Sequence, residues 1–437
     1  MDYAAAVEYL ATETSEGIKP DISRIAYLCR LLDHPERAYP VIHITGTNGK
    51  TSTARLTRGI LTELGFKTAL YTSPHLVTCT ERYSVDGVDI TEEEFAAQCE
   101  SLIPLVAETN RADLGGKVTQ FEFLTALGFK WFADQGVEAA VIEVGMGGRW
   151  DATNVARGDV AVITNIELEH TDRLGTTIEA IAGEKAGIIK TGAKVVTAAI
   201  QPEALRIIGE QAKQAGARLY EYGRDFEVLS RKRRPEGGYI ITAKGLHGTY
   251  VDLEITLRGR HQAQNASTAI AAVEAFLLGK RHAATGRLEA AMRTALPQTT
   301  SPGRLEVIGR EPRVVLDGAH NPAGAARLAE AVGTEFEYDK LILVLGVLAD
   351  KDAAGITAAL VPLADEIIAT APDYYRALPA DELAKIVQQS NPRVETEPDV
   401  IKALERAKQL AAVGDMVLVA GSLYVVGEVA SSLRSSQ

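Results

Sequence analysis

The chain has 437 residues, of which 46% are hydrophobic and 24% are charged, as in an ordinary globular protein. Its net charge of −12 argues against a nucleic-acid-binding protein, because such proteins normally present a basic surface. The sequence has no apolar run of the roughly 20 residues that span a membrane, and its acidic N-terminal stretch lacks a signal-peptide pattern. Three cysteines in no metal-binding spacing indicate reduced thiols, so we expect a cytoplasmic protein.

The length predicts two or three domains, and the chain begins with two predicted amphipathic helices at residues 2–11 and 22–32. A strand, a turn and a helix start follow in residues 41–52, VIHITGTNGKTS. Val41, Ile42 and Ile44 indicate a buried strand, residues 46–49 form a glycine turn, and Lys50 begins a helix that continues to about residue 64.

This pattern is typical of a phosphate-binding loop. Glycines allow backbone N–H groups to converge on an oxyanion, the helix N-terminus adds partial positive charge, and a hydroxyl remains for Mg²⁺. The strict P-loop pattern would have glycine where this chain has Ile44, so a structural turn is the alternative. The strand directly before the turn and the unbroken helix after it favour a nucleoside triphosphate site.

Strands and helices are predicted to alternate in the segments that follow. We expect a strand at 67–71, a loop-rich excursion over the site at 72–90, and two helices opened by the capping boxes Thr91-x-x-Glu94 and Thr119-x-x-Glu122. The remaining predicted elements of this part are strands at 138–144, 159–164 and 194–200, helices at 177–190, 202–215, 261–279 and 286–295, and a hairpin within 217–257 whose turn is at 234–238.

The segment 297–303, which contains two prolines and a glycine, is the best candidate for a domain boundary. Beyond it, helices alternate with strands predicted at 305–309, 313–317, 341–346, 365–370 and 416–420. We therefore predict an α/β protein with an ATP-binding, P-loop-type domain at 1–296, a linker at 297–303 and a smaller, doubly wound Rossmann-like domain at 304–437.

Several polar residues stand where α/β sheets place their ligand sites. Glu143 ends an apolar strand, where a carboxylate needs a partner, and either Mg²⁺ or a salt bridge to Arg149 would supply one. His170 follows the next strand and Lys185 lies on a helix, with a structural histidine and a solvated lysine as the alternatives. Ser73, in Ser-Pro-His, could belong to a simple turn.

Asp317, His320 and Asn321 crowd a strand-to-helix turn of the second domain. Asn321-Pro322 is a suitable helix start. Because a helix cap needs only one of these three residues, a ligand-binding role is favoured.

Taken together, these segments resemble the folylpolyglutamate synthase and dihydrofolate synthase family, relatives of the Mur ligases. The resemblance runs through nearly the whole chain in ten ordered motifs. They are TGTNGKTS, TSPHLV…ERYSV, TQFEFLTALGF, IEVGMGGRWDATN, HTDRLGTTIEAIAGEKAGIIK, GRHQAQNA, PGRLEV, LDGAHNP, GVLADKD and GSLYVVGEV.

The resemblance implies an ATP-dependent amide ligase that extends folates with L-glutamate and also acts on 7,8-dihydropteroate. ATP would phosphorylate a carboxylate of the pterin substrate, and the amine of L-glutamate would attack the acyl phosphate. Such a reaction needs no protein nucleophile, since positioning and electrostatic stabilisation supply the rate. Mg²⁺ is the implied cofactor, and a monomer is expected.

The site residues of the family are transferred to the matching positions of this sequence. The implied ATP-binding residues are Thr47, Asn48, Gly49, Lys50, Thr51, Asn265, Arg304, Asp317 and His320, the last four reaching ATP across a domain cleft. The implied Mg²⁺ ligands are Thr51, Ser73, Glu143, His170 and a carbamylated Lys185. The implied catalytic residues are Lys50, Glu143, His170 and Lys185, and the implied pterin-binding residues are Thr119, Trp150, Asp151 and Ala152.

Two positions depart from the family pattern. The family usually has glycine where Thr51 stands, so either Thr51 or Ser52 could face Mg²⁺. Gly183 replaces a common bulky aromatic residue near Lys185.

Three other functions are alternatives to a bifunctional ligase. A peptidoglycan Mur ligase is excluded, because only about 40 residues precede the loop and such enzymes carry an additional N-terminal domain. A nucleotide-dependent switch would need an Asn-Lys-x-Asp motif, which the sequence lacks. Tail extension of folates without activity on dihydropteroate remains open.

Overall fold

The computed structural model describes residues 1–15, 20–278 and 285–434. It divides into two compact units. The N-terminal unit comprises Met1–Lys232, Ile240–Ile255 and Ala263–Thr299, and the C-terminal unit comprises Arg233–Tyr239, Thr256–Gln262 and Thr300–Gln437. The division at Thr299 lies within the predicted linker 297–303. Two short segments before this linker also belong to the C-terminal unit, so the chain passes between the units more than once, and a single linker does not describe the division.

The N-terminal unit is built on an eight-stranded sheet. Its strands are β1 (Val41–Thr45), β2 (Thr68–Tyr71), β3 (Tyr83–Val85), β4 (Val88–Asp89), β5 (Ala139–Glu143), β6 (Gly158–Ile163), β7 (Lys194–Thr197) and β8 (Arg218–Glu221). They lie in the order β4-β3-β2-β5-β1-β6-β7-β8, and all neighbours from β2 to β8 are parallel. Every residue of β1 and β5 is buried, because helices cover both faces of a parallel sheet.

Ten helices accompany this sheet in the described part of the chain. They are α1 (Tyr3–Glu13), α2 (Ser23–Leu31), α3 (Lys50–Glu63), α4 (Glu92–Arg111), α5 (Gln120–Asp134), α6 (Thr171–Leu174), α7 (Ile178–Ala186), α8 (Pro202–Gln214), α9 (His261–Leu277) and α10 (Thr285–Gln298). Both predicted capping boxes are confirmed, at Thr91 for α4 and at Thr119 for α5. The last residue of the predicted helix 261–279 lies outside the described residues.

The prediction of an irregular loop at 72–90 was wrong for its second half, because β3 and β4 form an antiparallel hairpin at the sheet edge. The two turn residues, Asp86 and Gly87, have φ values of 52° and 86°. An Asp-Gly pair with positive φ at both residues is a strong signal for a tight hairpin. Pro74 and the lack of a helical period hid this signal in the sequence.

A three-stranded sheet follows, in the order β11-β10-β9, with β9 at Glu227–Arg233, β10 at Tyr239–Lys244 and β11 at Thr249–Ile255. The predicted hairpin turn at 234–238 is confirmed, since it joins β9 to β10. The residues that the structure describes also include four short 3-10 helices, at Pro35–Arg37, Cys79–Arg82, Ala152–Val155 and Val361–Leu363.

The C-terminal unit contains a six-stranded sheet. Its strands are β12 (Glu306–Arg310), β13 (Arg313–Leu316), β14 (Leu341–Leu345), β15 (Glu366–Ala369), β16 (Val394–Thr396) and β17 (Met416–Ala420). They lie in the order β12-β13-β17-β14-β15-β16, with only β12 antiparallel among the described strands of this sheet. The sequence analysis missed β16, which is short and largely exposed.

The helices of this unit are α11 (Pro322–Glu335), α12 (Ala353–Leu360), α13 (Ala380–Gln388), α14 (Val400–Leu410) and α15 (Leu423–Arg434). The predicted α/β class, with a P-loop-type sheet followed by a smaller doubly wound sheet, is confirmed. Within the described residues, none of the helices combines the length and the apolar character needed to cross a bilayer.

Candidate active site

The glycine turn at 46–49 joins the carboxyl end of β1 to the first residue of α3. Gly46 and Gly49 have φ values of +147° and +82°, which side chains other than glycine rarely adopt. A Cβ atom at Gly49 would lie 2.5 Å from Asn265 Oδ1, and one at Gly46 would clash with the Thr164 hydroxyl. Only glycine therefore fits at these two positions, and Asn265 lies directly beside the turn as the sequence analysis expects of an ATP-site residue.

The segment after β6 holds the turn in place through hydrogen bonds. The backbone N–H groups of Thr47 and Asn48 donate to Asn165 O (2.9 Å) and Asn165 Oδ1 (2.8 Å). Thr164 Oγ1 donates to Asn48 O (2.7 Å), and the backbone N–H of Glu167 donates to Thr47 Oγ1 (3.0 Å). Sequence reasoning missed this role of residues 164–167, although their place after the strand beside β1 is the position where open α/β sheets build sites.

Lys50 folds back over the turn. Its Nζ donates to Gly46 O at 2.8 Å and to Thr47 O at 3.1 Å. The ammonium group is thus held against the backbone of the turn. The phosphate-neutralising role of Lys50 stays a prediction.

Thr51 and Glu143 meet beside the turn. Glu143 ends β5 opposite Ile44 of β1, and its carboxylate is almost fully buried. Thr51 Oγ1 donates to Glu143 Oε1 at 2.8 Å, so the Thr51 hydroxyl lies beside this carboxylate. The alternative partner of Glu143, Arg149, has its Nε 3.6 Å from Glu184 Oε1.

Ser73 follows β2, on the other side of β5 from β1. It is buried, and its Oγ has no hydrogen-bond partner among the residues that the structure describes. A buried hydroxyl normally finds a partner, so a ligand atom at this position would satisfy it.

Lys185 is buried on α7 and forms an ion pair with Glu169, at 2.7 Å between Nζ and Oε1. Burial lowers the pKa of Lys185 to about 8. The Glu169 carboxylate opposes this shift, and the charge of Lys50 adds to it. Burial also disfavours the charge of Glu169, but Lys185 and Lys50 outweigh this effect, so the pKa of Glu169 is lowered. Sequence reasoning missed Glu169, whose signal was its place next to His170 in ELEH.

His170 stands directly before α6, with a left-handed backbone of φ 45°. Its side chain is half-buried. It is the next residue after Glu169, the partner of Lys185.

The four predicted pterin-binding residues lie around the start of α5 and the loop after β5. Thr119 is buried and its hydroxyl accepts the Glu122 N–H as the N-cap of α5. Trp150 is exposed and Ala152 is buried. Asp151 is buried, and its carboxylate accepts the N–H groups of Met146 and Thr153, both at 3.0 Å.

The C-terminal unit brings Arg304, Asp317 and His320 together around the turn after β13. Asp317 accepts the N–H groups of Leu305 and Ala319, each at 2.9 Å. Burial raises the pKa of Asp317, and the nearby Arg304 counteracts this effect. His320 Nδ1 donates to Gly318 O at 2.8 Å.

Within the described ranges, no group of three or more His, Cys, Asp or Glu residues is arranged to hold a metal ion. The predicted Mg²⁺ set contains two residues of these types, Glu143 and His170. Its other members contribute hydroxyl oxygens and a modified lysine. A cation site here therefore depends on hydroxyl groups and on oxygen atoms of a ligand, as is usual for Mg²⁺.

Two family models match the chain. The Mur ligase middle domain matches residues 44–273, and the Mur ligase glutamate ligase domain matches residues 303–423. Together the two matches cover the sheets of both units except for the first three residues of β1.

Curated relatives and solved structures point in the same direction. The dihydrofolate synthase/folylpolyglutamate synthase of Bacillus subtilis is 36% identical over 434 residues, which cover 99% of each chain. Its counterpart from Mycobacterium tuberculosis is 43% identical over 84% of this chain and 77% of the relative. The structure of the M. tuberculosis folylpolyglutamate synthase complexed with ADP has a TM-score of 0.91 at 38% identity, over 99% of each chain.

A further solved structure, Escherichia coli FolC in complex with DHPP and ADP, has a TM-score of 0.86 at 30% identity and covers 100% of this chain and 98% of that one. These matches confirm the resemblance that the ten motifs indicated. The chain belongs to the dihydrofolate synthase/folylpolyglutamate synthase family of the Mur ligases.

Proposed function

We propose that this ATP-dependent ligase joins L-glutamate to folates and to 7,8-dihydropteroate through an acyl-phosphate intermediate. The family membership supports the reaction class, and several relatives carry both activities in their names. The observation that supports it most directly is the glycine turn with Lys50 and Thr51 beside the buried carboxylate of Glu143.

The first step transfers the γ-phosphoryl group. A carboxylate oxygen of the pterin substrate forms a bond to the γ-phosphorus, the bond to the β–γ bridging oxygen breaks, and ADP leaves. The backbone N–H groups at the N-terminus of α3 are proposed to bind the phosphates, because those of Thr47 and Asn48 in the turn already donate to Asn165. Lys50 already lies over the turn, so it neutralises charge on the transferring group without rearranging the backbone.

In the second step the neutral amine of L-glutamate attacks the acyl carbon and loses a proton, and inorganic phosphate leaves. Asp317, Arg304 and His320 are proposed to contact ATP from their turn in the C-terminal unit. Thr119 and residues 150–152 are proposed to contact the pterin. We propose a monomer, with L-glutamate as the second small-molecule substrate.

The residues around Glu143 suit Mg²⁺. Thr51 and Glu143 present oxygen atoms 2.8 Å apart, and the buried Ser73 hydroxyl has no partner within the described parts of the chain. These hard oxygen donors, with His170, would hold the ion near the phosphates. When bound, Mg²⁺ supplies charge neutralisation on the phosphoryl oxygens.

Lys185 is proposed to act as a carbamate. The neutral amine adds CO₂, a nitrogen–carbon bond forms, and a proton is released. Burial favours the neutral amine that this reaction needs. A carbamate would replace the ammonium beside Glu169 with an anion, and two buried anions in contact are stable only with a cation between them.

The reaction is tested by product analysis with purified protein. We expect ADP and phosphate to be released only when ATP, L-glutamate and a pterin acceptor are all present, because the acyl phosphate forms on the acceptor. Dihydropteroate and tetrahydrofolate are offered in separate assays. Release of AMP and pyrophosphate would contradict the mechanism, and turnover of tetrahydrofolate alone would restrict the enzyme to tail extension.

The phosphate-binding role of the turn is tested by Gly49→Ala. The new methyl group would meet Asn265 Oδ1 at 2.5 Å, so we expect ATP affinity to fall by at least about tenfold. Gly192→Ala is the matched control, because Gly192 has a similar φ of +73° but no atom within 4 Å of its Cβ position. Calorimetric titration with ATP measures both. Equal affinities in the two variants would show that the turn does not bind phosphate.

The carbamate is tested by ¹³C NMR of protein equilibrated with ¹³C-labelled bicarbonate. We expect a carbamate signal that Lys185→Ala abolishes together with activity, and partial rescue of activity by short carboxylic acids that supply the missing oxygens. Lys190→Ala is the control, because burial lowers the pKa of Lys190 to about 8 as well, but its Nζ donates to Asn154 O. Rescue by an amine and not by acids would show that positive charge is what Lys185 contributes.

A further inference from the structure

A chain of hydrogen bonds links the central strand of the N-terminal unit to Asp151. His43 lies in β1 and is fully buried. Its Nε2 lies 2.8 Å from Thr153 Oγ1, which in turn lies 2.5 Å from Asp151 Oδ1. Sequence reasoning treated His43 only as part of a strand, and neither His43 nor Thr153 belongs to the site residues described above.

The direction of each bond in this chain can be assigned. Asp151 accepts backbone N–H groups at both carboxylate oxygens, from Thr153 at Oδ1 and from Met146 at Oδ2. The single hydroxyl proton of Thr153 therefore points to Asp151, and His43 must donate its Nε2 proton to Thr153 Oγ1.

The other ring nitrogen of His43 agrees with this assignment. His43 Nδ1 is buried and has no hydrogen-bond partner among the described residues, so none of them accepts a proton from it. Burial, with Lys190 nearby, lowers the pKa of His43 to about 3, so the ring stays neutral. A neutral imidazole with its proton on Nε2 satisfies the whole chain.

A second bond from the same strand reaches the same loop. Thr45 Oγ1 donates to Gly147 O at 2.6 Å. Residues 43 and 45 of a strand point to the same face of the sheet. The loop from Gly145 to Asp151 is thus attached to β1 at two points. Thr45 bonds to Gly147 near the middle of the loop, and His43 holds Asp151, at the end of the loop, through Thr153.

This face of β1 therefore connects two parts of the proposed site. The strand continues directly into the glycine turn at 46–49, and the attached loop contains Trp150 and Asp151. A fixed distance between the phosphates and the acceptor carboxylate requires that the turn and the loop be held on one rigid element.

We propose that His43 is a positioning residue that acts through Thr153 to orient the Asp151 carboxylate and the loop before it toward the pterin ring of the acceptor substrate. The proposal rests on the proposed function, in which residues 150–152 contact the pterin. It assigns to the strand before the phosphate turn a second role, in binding the acceptor.

The kinetic test uses Thr153→Val and His43→Leu, which break the chain at either bond. We expect the KM of the pterin acceptor to rise about tenfold, with the KM of ATP and of glutamate and the kcat changed less than about twofold. Thr153→Ser and His43→Gln keep a hydroxyl or an N–H donor and should restore most of the acceptor KM. A merely structural role would lower the amount of active enzyme and leave every KM unchanged.

Thr57→Val is the matched control, because it also removes a buried hydroxyl, one that donates to Thr53 O inside α3. It should leave the acceptor KM unchanged. An unchanged acceptor KM in Thr153→Val, or an equal rise in Thr57→Val, would overturn the proposal.

A second measurement is independent of turnover. NMR of ¹⁵N-histidine-labelled protein reports which ring nitrogen of His43 bears the proton, with His43→Gln to assign the signal among the eight histidines. We expect the Nε2–H tautomer in wild type. In Thr153→Val we expect the His43 ring to lose its fixed orientation. An Nδ1–H tautomer would overturn the chain itself, whereas an enzyme that turns over no pterin while His43 keeps the Nε2–H form would contradict only the proposed function.

Discussion

The burial of β1 between two parallel neighbours is the constraint on which the site depends. Thr45 ends the strand and leads into the glycine turn, opposite Ile163 of β6. Ile44 stands opposite Glu143 of β5, which brings that carboxylate to Thr51. Parallel pairing fixes these registers without a turn between the strands, so three separate segments of the chain meet at one sheet edge.

The same strand explains why the surrounding loops are held rigidly. The segment after β6 donates and accepts hydrogen bonds along the glycine turn, and the loop after β5 is bonded to Thr45. Because these bonds are wholly or partly buried, moving either loop would leave polar groups poorly partnered. These hydrogen bonds hold the turn and both loops in one arrangement, and electrostatic stabilisation of a transition state requires such fixed groups.

Charge at the site is local and opposes the charge of the whole chain. A protein of net charge −12 repels anionic substrates over most of its surface. Lys50 lies close enough to Lys185 to disfavour its ammonium form. The Glu169 carboxylate opposes this effect on Lys185. Lys50, which lies on the turn, therefore supplies the local positive charge that attracts an anion there.

The parts of the fold and the site that could be predicted are those encoded by residues near one another in sequence. The strand, glycine turn and helix of residues 41–64, both capping boxes and Glu143 at a strand end all have local signals. The hairpin at Asp86-Gly87 also has a local signal, the Asp-Gly pair, but this segment was interpreted only by its lack of a helical period. By contrast, the support of the turn by residues 164–167 and the bond from His43 to Thr153 join positions more than 100 residues apart, and only the sheet register brings them together.

The central claim is that the acceptor carboxylate is activated as an acyl phosphate beside the glycine turn. The most direct measurement is the fate of ¹⁸O placed in the carboxylate of the pterin substrate, followed by mass spectrometry of the inorganic phosphate. Activation by phosphorylation predicts that each phosphate released during amide formation carries one oxygen from that carboxylate. Amide formation with unlabelled phosphate would contradict the account.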